Sequence, residues 1–129
     1  MNKEWQAATK QGDLVEVRRL LQNGTDANSR DKHGQTALMN AALSGQVDLV
    51  RFLVEEGADL NVTAKHNLSA LMLSLIAHHT EIARLLIEAG ADVNIRSSLN
   101  FHGKTALTLA EEAGYDEIVT LLKQREATP

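Results

Sequence analysis

The sequence repeats with an internal period of 33 residues. A unit of this length cannot bury its own apolar face, so successive copies have to stack and share a core. The sequence therefore predicts a solenoid in which each unit packs against its neighbours. The residues that show the period are Gly24, Gly57 and Gly90, then Asp26, Asp59 and Asp92, and then Asn28, Asn61 and Asn94.

Within one period, the pattern is that of two short helices followed by a turn-rich loop. Thr36 is a favourable N-cap before the segment ALMNAA, and Gly45 can end that helix with a positive φ. Apolar residues at i, i+1, i+4 and i+5 over residues 49–54 indicate a second helix. Gly57 and the residues ADLN follow, and they are typical of turns. The fold is therefore predicted to be all-α, with β-hairpin or turn loops between the units.

The amino-acid sequence of the units resembles the ankyrin repeat, whose consensus contains TPLHxAA. The chain has TALMNAA at the matching place, followed by GADLN and, one period later, GADVN. The resemblance covers nearly the whole chain as one domain, 1–129, with repeats at about 1–27, 28–60, 61–93 and 94–126. Three residues are inserted in the last loop, between residues 94 and 105. The resemblance implies an ankyrin-repeat solenoid of four stacked helix-turn-helix units.

The third repeat departs most from the others. Asn67 and His78 occupy positions where glycine is expected, and Ser74 occupies the place of Ala41. Asn and His tolerate a positive φ less well than glycine does. This repeat is therefore predicted to be the least stable.

The first and last repeats have charged residues in place of apolar ones. Glu16, Arg19 and Lys123 stand where the inner repeats have apolar side chains. Terminal repeats of a solenoid need one face that is exposed to water, and these residues can supply it. Trp5 aligns with Leu38 and is expected to be buried against the second repeat.

Composition and charge exclude several classes of protein. The net charge of −4 argues against nucleic acid or an anionic membrane as the main partner. The absence of cysteine rules out disulfides, thiol catalysis and Cys-ligated zinc. The segment MNKEWQAATK lacks the apolar region of a signal peptide, and no apolar run approaches transmembrane length. With Met1 as the natural start, we expect a cytoplasmic monomer.

Three histidines recur at equivalent places and raise the question of a metal site. Zinc requires nitrogen ligands about 2.0–2.1 Å from the ion. Stacked helices lie about 8–10 Å apart, so one ion cannot bridge His33, His66 and His102. We therefore expect these histidines to be exposed at loop tips, and we expect no metal ion.

Motifs for catalysis are absent from the sequence. It contains no G-x-S-x-G, H-E-x-x-H, P-loop or G-x-G-x-x-G segment, and its glycines recur at the ends of helices. We therefore expect a non-enzyme without a cofactor.

The resemblance implies that a protein partner binds the concave face, which consists of loop tips and the exposed edges of the first helices. Apolar residues at such places mark a contact surface when they form one exposed patch. Alternatively, Leu68 and Ile76 pack on neighbouring methionines. The predicted partner-binding residues are Lys32, His33, Gln35, Leu43, Ser44, Lys65, His66, Leu68, Ile76, Ala77, Phe101, His102, Lys104 and Glu112.

Two function classes fit a chain of this kind. The first is a protein-binding adaptor or scaffold. The second is a dedicated inhibitor or immunity-type protein that blocks one specific enzyme. A complex in which the partner's active site is covered would separate the two.

Overall fold

Eight α-helices, and no β-strand, form the protein in the computed structural model, which describes residues 1–129. The loops before the fifth and seventh helices contain short 3-10 turns at Lys65–Asn67 and Leu99–Phe101. The helices are α1 (Lys3–Gln11), α2 (Leu14–Gln22), α3 (Ala37–Ser44), α4 (Val47–Glu55), α5 (Ala70–Ile76), α6 (Thr80–Glu88), α7 (Ala106–Ala113) and α8 (Asp116–Gln124).

The helices pack as antiparallel pairs that stack into two rows. Each of α1, α3, α5 and α7 packs against the next of these helices, and they form what we call the inner row. In the outer row, α4 packs against α6 and α6 against α8. This arrangement is the predicted all-α solenoid of helix-turn-helix units.

The predicted N-caps start the inner helices. The Thr36 hydroxyl accepts a hydrogen bond from the Met39 amide at 3.2 Å, and Ser69 accepts one from Met72 at 3.3 Å. Thr105 has the same role at the start of α7. Because a cap satisfies an amide that has no partner inside the helix, each of these positions favours a hydroxyl side chain.

The core lies between the two rows and is aliphatic except for Trp5 and Phe52. Trp5 is fully buried in the first helix, as its alignment with Leu38 predicts. Small residues such as Ala42 and Ala83 are also fully buried and allow neighbouring helices to approach closely. The largest fully buried side chains are Trp5, Leu38, Met39, Leu53, Leu71, Met72, Ile82, Leu86, Ile87, Ile118, Leu122 and Val17.

The charged substitutions near the two ends are at the surface. Arg19 donates to Glu16 at 2.5 Å and to Glu4 at 3.3 Å. The hydrogen bond from Arg19 lowers the pKa of the Glu16 carboxyl. Lys123 is exposed on α8. The helices at both ends therefore present polar side chains to water.

Asparagines at the 33-residue period connect consecutive repeats. The Asn28 side-chain oxygen accepts a hydrogen bond from the Asp59 amide at 2.8 Å, and Asn61 accepts one from Asp92 at 2.7 Å. Asn94 continues the series by accepting a bond from the C-terminal segment. The bonds to Asn28 and Asn61 each join one repeat to the next through the Asp backbone amide. The Asp side chains recur because each carboxylate accepts a bond from the Asn backbone amide two residues later, at 2.8 Å for Asp26, 2.9 Å for Asp59 and 2.9 Å for Asp92.

The third repeat has the backbone conformations that its unusual residues suggested. Gly45 ends α3 with a φ of 80°, whereas His78 adopts a φ of 66° at the equivalent place after α5. Asn67 has a φ of 58° where the first and last loops have glycine. Non-glycine residues in this region are strained relative to glycine, so the third repeat holds strain at two turns.

Candidate protein-binding surface

Three loop tips precede the inner helices α3, α5 and α7. The first tip, residues 31–35, is closed by a 2.9 Å hydrogen bond from the Asp31 amide to the Gln35 carbonyl. The second tip, 64–68, and the third tip, 97–104, are closed in the same way at 3.1 and 2.9 Å. The third tip is three residues longer and contains the Leu99–Phe101 turn. We call these three tips the tip edge.

The tips are tied to one another. The Arg30 guanidinium donates to the Thr63 carbonyl at 2.9 Å, across the gap between the first and second repeat loops. The side-chain nitrogen of Asn67 donates to the Arg96 carbonyl at 2.9 Å, across the gap between the second and third loops. Hydrogen bonds therefore join the three loops that carry the tips.

Asp31 organises the first tip. Its carboxylate accepts hydrogen bonds from the His33 amide at 2.8 Å, the Gln35 amide at 3.0 Å and the Asn40 side chain at 3.1 Å. Partial burial alone would raise the pKa of Asp31, but the bonds from Gln35, Asn40 and His33 lower it overall. The carboxylate thus ties the first tip to α3, a role that sequence reasoning missed.

Most of the predicted binding residues reach what we call the inner surface, meaning the tip edge and the exposed sides of the inner helices. Leu43 at the end of α3 is 43% exposed, and Ile76 at the end of α5 is 37% exposed. Because α3 packs against α5, these two equivalent residues lie on neighbouring helices. The other exposed members are Lys32, His33, Ser44, Lys65, His102 and Glu112, and the half-buried ones are Gln35, His66, Ala77, Phe101 and Lys104.

Leu68 does not belong to this surface, and the prediction that it binds a partner there is wrong. Its side chain is only 7% exposed and packs in the core. Leu68 closes the second tip immediately before the buried N-cap Ser69, so its side chain can join the core. Burial of a leucine side chain is favourable by about 1.5–3 kcal/mol. The alternative, in which Leu68 has a packing role, is the one observed.

The third tip presents an apolar residue that was not predicted. Leu99 is 90% exposed, more than any other large apolar residue of the chain. Beside it in sequence, Phe101 is half-buried, with its ring centroid 4.9 Å from that of His66 in the second tip. The available signal was an apolar residue inside the three-residue insertion.

Lys104 and Glu112 pair with each other. The Lys104 ammonium lies 2.7 Å from a Glu112 carboxylate oxygen, and the two side chains are 29% and 51% exposed. Exposed pairs of this kind are worth about 1 kcal/mol or less. Both residues can still border a contact surface, but their charges largely offset each other.

A shallow groove lies between α1 and α3 on the inner surface. It has a volume of about 480 Å³. At the edge of the groove, the side-chain nitrogen of Gln46 donates to the Lys10 carbonyl at 3.1 Å. Asn40 contributes a polar side chain to the groove. The equivalent positions of α5 and α7 are Leu73 and Leu109, so this polar position is particular to α3. The lining residues are Gln6, Thr9, Lys10, Ala37, Asn40, Ala41, Ser44 and Gln46.

Two of the five histidines contact aromatic groups. His66 lies against Phe101, and the His78 ring nitrogen lies beside the Tyr115 hydroxyl. No three His, Asp or Glu side chains come together in a group that could hold a metal ion. None of the helices combines the length and the apolar composition that crossing a membrane requires.

Comparison with known families gives one match. A family model described as ankyrin repeats in three copies matches residues 5–97 and, again, residues 64–129. The two matches overlap and together span nearly the whole chain. Among curated proteins, no significant match is found.

Proposed function

Because this chain belongs to the ankyrin-repeat family, whose members are generally protein-protein interaction modules, we propose that it is a non-enzymatic module that binds a protein partner through its inner surface. The partner contacts the exposed ends of the inner helices and the tip edge. The outer row faces away from the partner.

Exposed apolar side chains on neighbouring inner helices support this proposal most directly. Leu43 and Ile76 occupy equivalent positions, and each leaves more than a third of its surface exposed to water. One exposed leucine is ordinary, but equivalent residues on adjacent helices form a patch. Burial of such a patch by a partner contributes favourably to the free energy of binding.

A capture experiment with two matched double variants tests the proposal. The wild-type chain is immobilised and exposed to a lysate of its source organism, and specifically retained proteins are identified by mass spectrometry. The inner variant combines Ile76→Asp with Phe101→Ala. The outer variant combines Arg51→Glu with Arg84→Glu, two residues that are about half-exposed on α4 and α6. Circular dichroism establishes that each variant remains folded.

The affinity of each form for the purified partner then decides the question. The inner variant is expected to bind at least about tenfold more weakly, which corresponds to about 1.4 kcal/mol. The outer variant is expected to bind within about twofold of the wild type, since exposed charges outside an interface contribute little. The reverse order of the two variants would place the partner on the outer row.

A further inference from the structure

The inserted third tip holds an apolar side chain away from the core. Leu99 begins the short turn Leu99–Phe101, and its side chain is 90% exposed. A leucine in this position gains nothing from the fold of the free chain. Its side chain is therefore accessible to another molecule.

Hydrogen bonds connect the backbone of this tip within itself and to the second tip. The Ser98 amide donates to the His66 carbonyl of the second tip at 2.8 Å, and the Gly103 amide donates to the Ser98 carbonyl at 3.0 Å. The Arg96 guanidinium donates to the Gly103 carbonyl at 2.7 Å. Hydrogen bonds of this kind reduce the backbone entropy that is lost when a partner covers Leu99.

Charge is segregated toward the same edge. The three tips together with the two residues before each of them, 29–35, 62–68 and 95–104, contain five Lys or Arg and one Asp, a formal charge of +4 in a chain whose total is −4. The residues outside these segments therefore carry a charge of −8. The tip edge is the basic part of an acidic molecule.

The basic side chains in and beside the tips differ in whether they are free to pair with a partner's carboxylates. Arg30 and Arg96 donate to backbone carbonyls, and Lys104 pairs with Glu112. Lys32 and Lys65 are exposed and form no ion pair within the chain. They are free to meet carboxylates of another molecule.

We propose that the tip edge binds an acidic, extended segment of a partner protein, with Leu99 packed against an apolar side chain of that segment and Lys32 and Lys65 paired with its carboxylates. This inference rests on the proposed function and specifies the chemistry of the partner. Neighbouring tips are about 10 Å apart, the spacing of packed helices, and an extended chain advances about 3.3 Å per residue. Successive acidic or apolar contacts should thus recur about every three residues of the segment.

Peptide display provides the test. A random 12-residue peptide library is selected against the wild-type chain, and the sequences of the retained peptides are compared with the starting library. Retained peptides are synthesised with a fluorescent label, and their affinities are measured by fluorescence anisotropy. The variants are Leu99→Ser, Lys32→Glu with Lys65→Glu, Ile76→Asp, and the outer pair Arg51→Glu with Arg84→Glu.

We expect the selected peptides to be enriched in Asp, Glu and large apolar residues at about three-residue spacing. Leu99→Ser and the double lysine variant should each weaken binding at least about tenfold, and the outer variant should change it less than about twofold. Binding should also weaken as salt rises, because the lysines are exposed to solvent.

Other outcomes overturn the inference, and they separate it from the proposed function. Peptides that depend on Ile76 but not on Leu99 or the lysines would leave the inner surface as the binding site and remove the acidic-segment assignment. Peptides that depend only on the outer pair would overturn both proposals. A 12-nucleotide single-stranded DNA that binds as tightly as the best peptide through Lys32 and Lys65, or a selection without acidic enrichment, would overturn the inference alone.

Discussion

At the scale of single residues, the glycines that follow the outer helices set the direction of the next loop. Gly57 has a φ of 82° and Gly90 a φ of 94°, and no heavy atom lies within 4 Å of the place where a Cβ would stand. Alanine would thus meet no steric clash, and its effect would come from backbone strain. We expect Gly57→Ala or Gly90→Ala to lower the free energy of unfolding by about 1 kcal/mol, measured by urea titration.

Glu56→Ala is the matched control for these glycine variants. Glu56 is exposed beside Gly57 and has an ordinary φ of −83°. Its replacement should change the free energy of unfolding by less than about 0.5 kcal/mol. A stability of either glycine variant equal to that of the control would show that these turns tolerate a side chain.

The carboxylate of Asp31 makes a pH-dependent contribution to stability. Its pKa is lowered because hydrogen bonds from Gln35, Asn40 and His33 outweigh the opposing effect of burial. A group with a lowered pKa stabilises the fold fully above its ordinary value of about 3.9, and that stabilisation is lost as pH falls through the folded value. Asp31→Asn should therefore be less stable than the wild type at pH 6, by about 1 kcal/mol.

The difference between these two proteins should shrink as the pH approaches 3, because protonation also removes the charge of Asp31 in the wild type. Urea unfolding at pH 6, 4.5 and 3.5 measures it. A difference that stays constant over this range would show that the charge of the carboxylate contributes nothing.

At the scale of elements, the second tip has fewer internal hydrogen bonds than the first. In the first tip, the amides of His33 and Gln35 donate to the Asp31 carboxylate. The period places Ala64 where Asp31 stands, so the equivalent amides of His66 and Leu68 have no such acceptor. We locate the weakness of the third repeat in its loop and turn, since six of the seven residues of α5 are buried.

Native-state hydrogen exchange tests this difference between the tips. The amides of His66 and Leu68 should exchange about tenfold faster than those of His33 and Gln35, the factor that corresponds to one hydrogen bond of about 1.4 kcal/mol. The helical amides of α3 and α5 serve as internal references. Equal or slower exchange at the second tip would show that the bonds from neighbouring tips replace the missing carboxylate.

The ends of the helices could be predicted from the sequence better than the exposure of residues in the loops. The N-caps Thr36 and Ser69 and the glycine at the end of α3 could be located because each acts on the backbone of its own helix. The exposure of Leu68 could not be predicted, since it depends on how the second tip closes over the core. The exposure of Leu99 depends in the same way on the conformation of an insertion that has no counterpart in the other repeats.

At the scale of the whole molecule, the stack is held by bonds between nearest neighbours. The asparagine bonds join repeat loops, and an ion pair of 2.5 Å between Arg84 and Glu117 joins α6 to α8. This pair is exposed and contributes little by itself. Leu43 and Ile76 are the exposed large apolar side chains of the inner helices, whereas Val15 is exposed on α2 in the first repeat.

The inner surface is the one that we propose meets another protein. Site-specific photocrosslinking in cells of the source organism measures this directly. A benzoylphenylalanine is placed at Leu43 or Ile76 on the inner row, or at Arg51 or Arg84 on the outer row, all of which are exposed. After irradiation, we expect a discrete crosslinked protein from both inner positions and none from the outer positions. Crosslinks from Arg51 or Arg84, together with none from Leu43 and Ile76, would place the partner on the outer row instead.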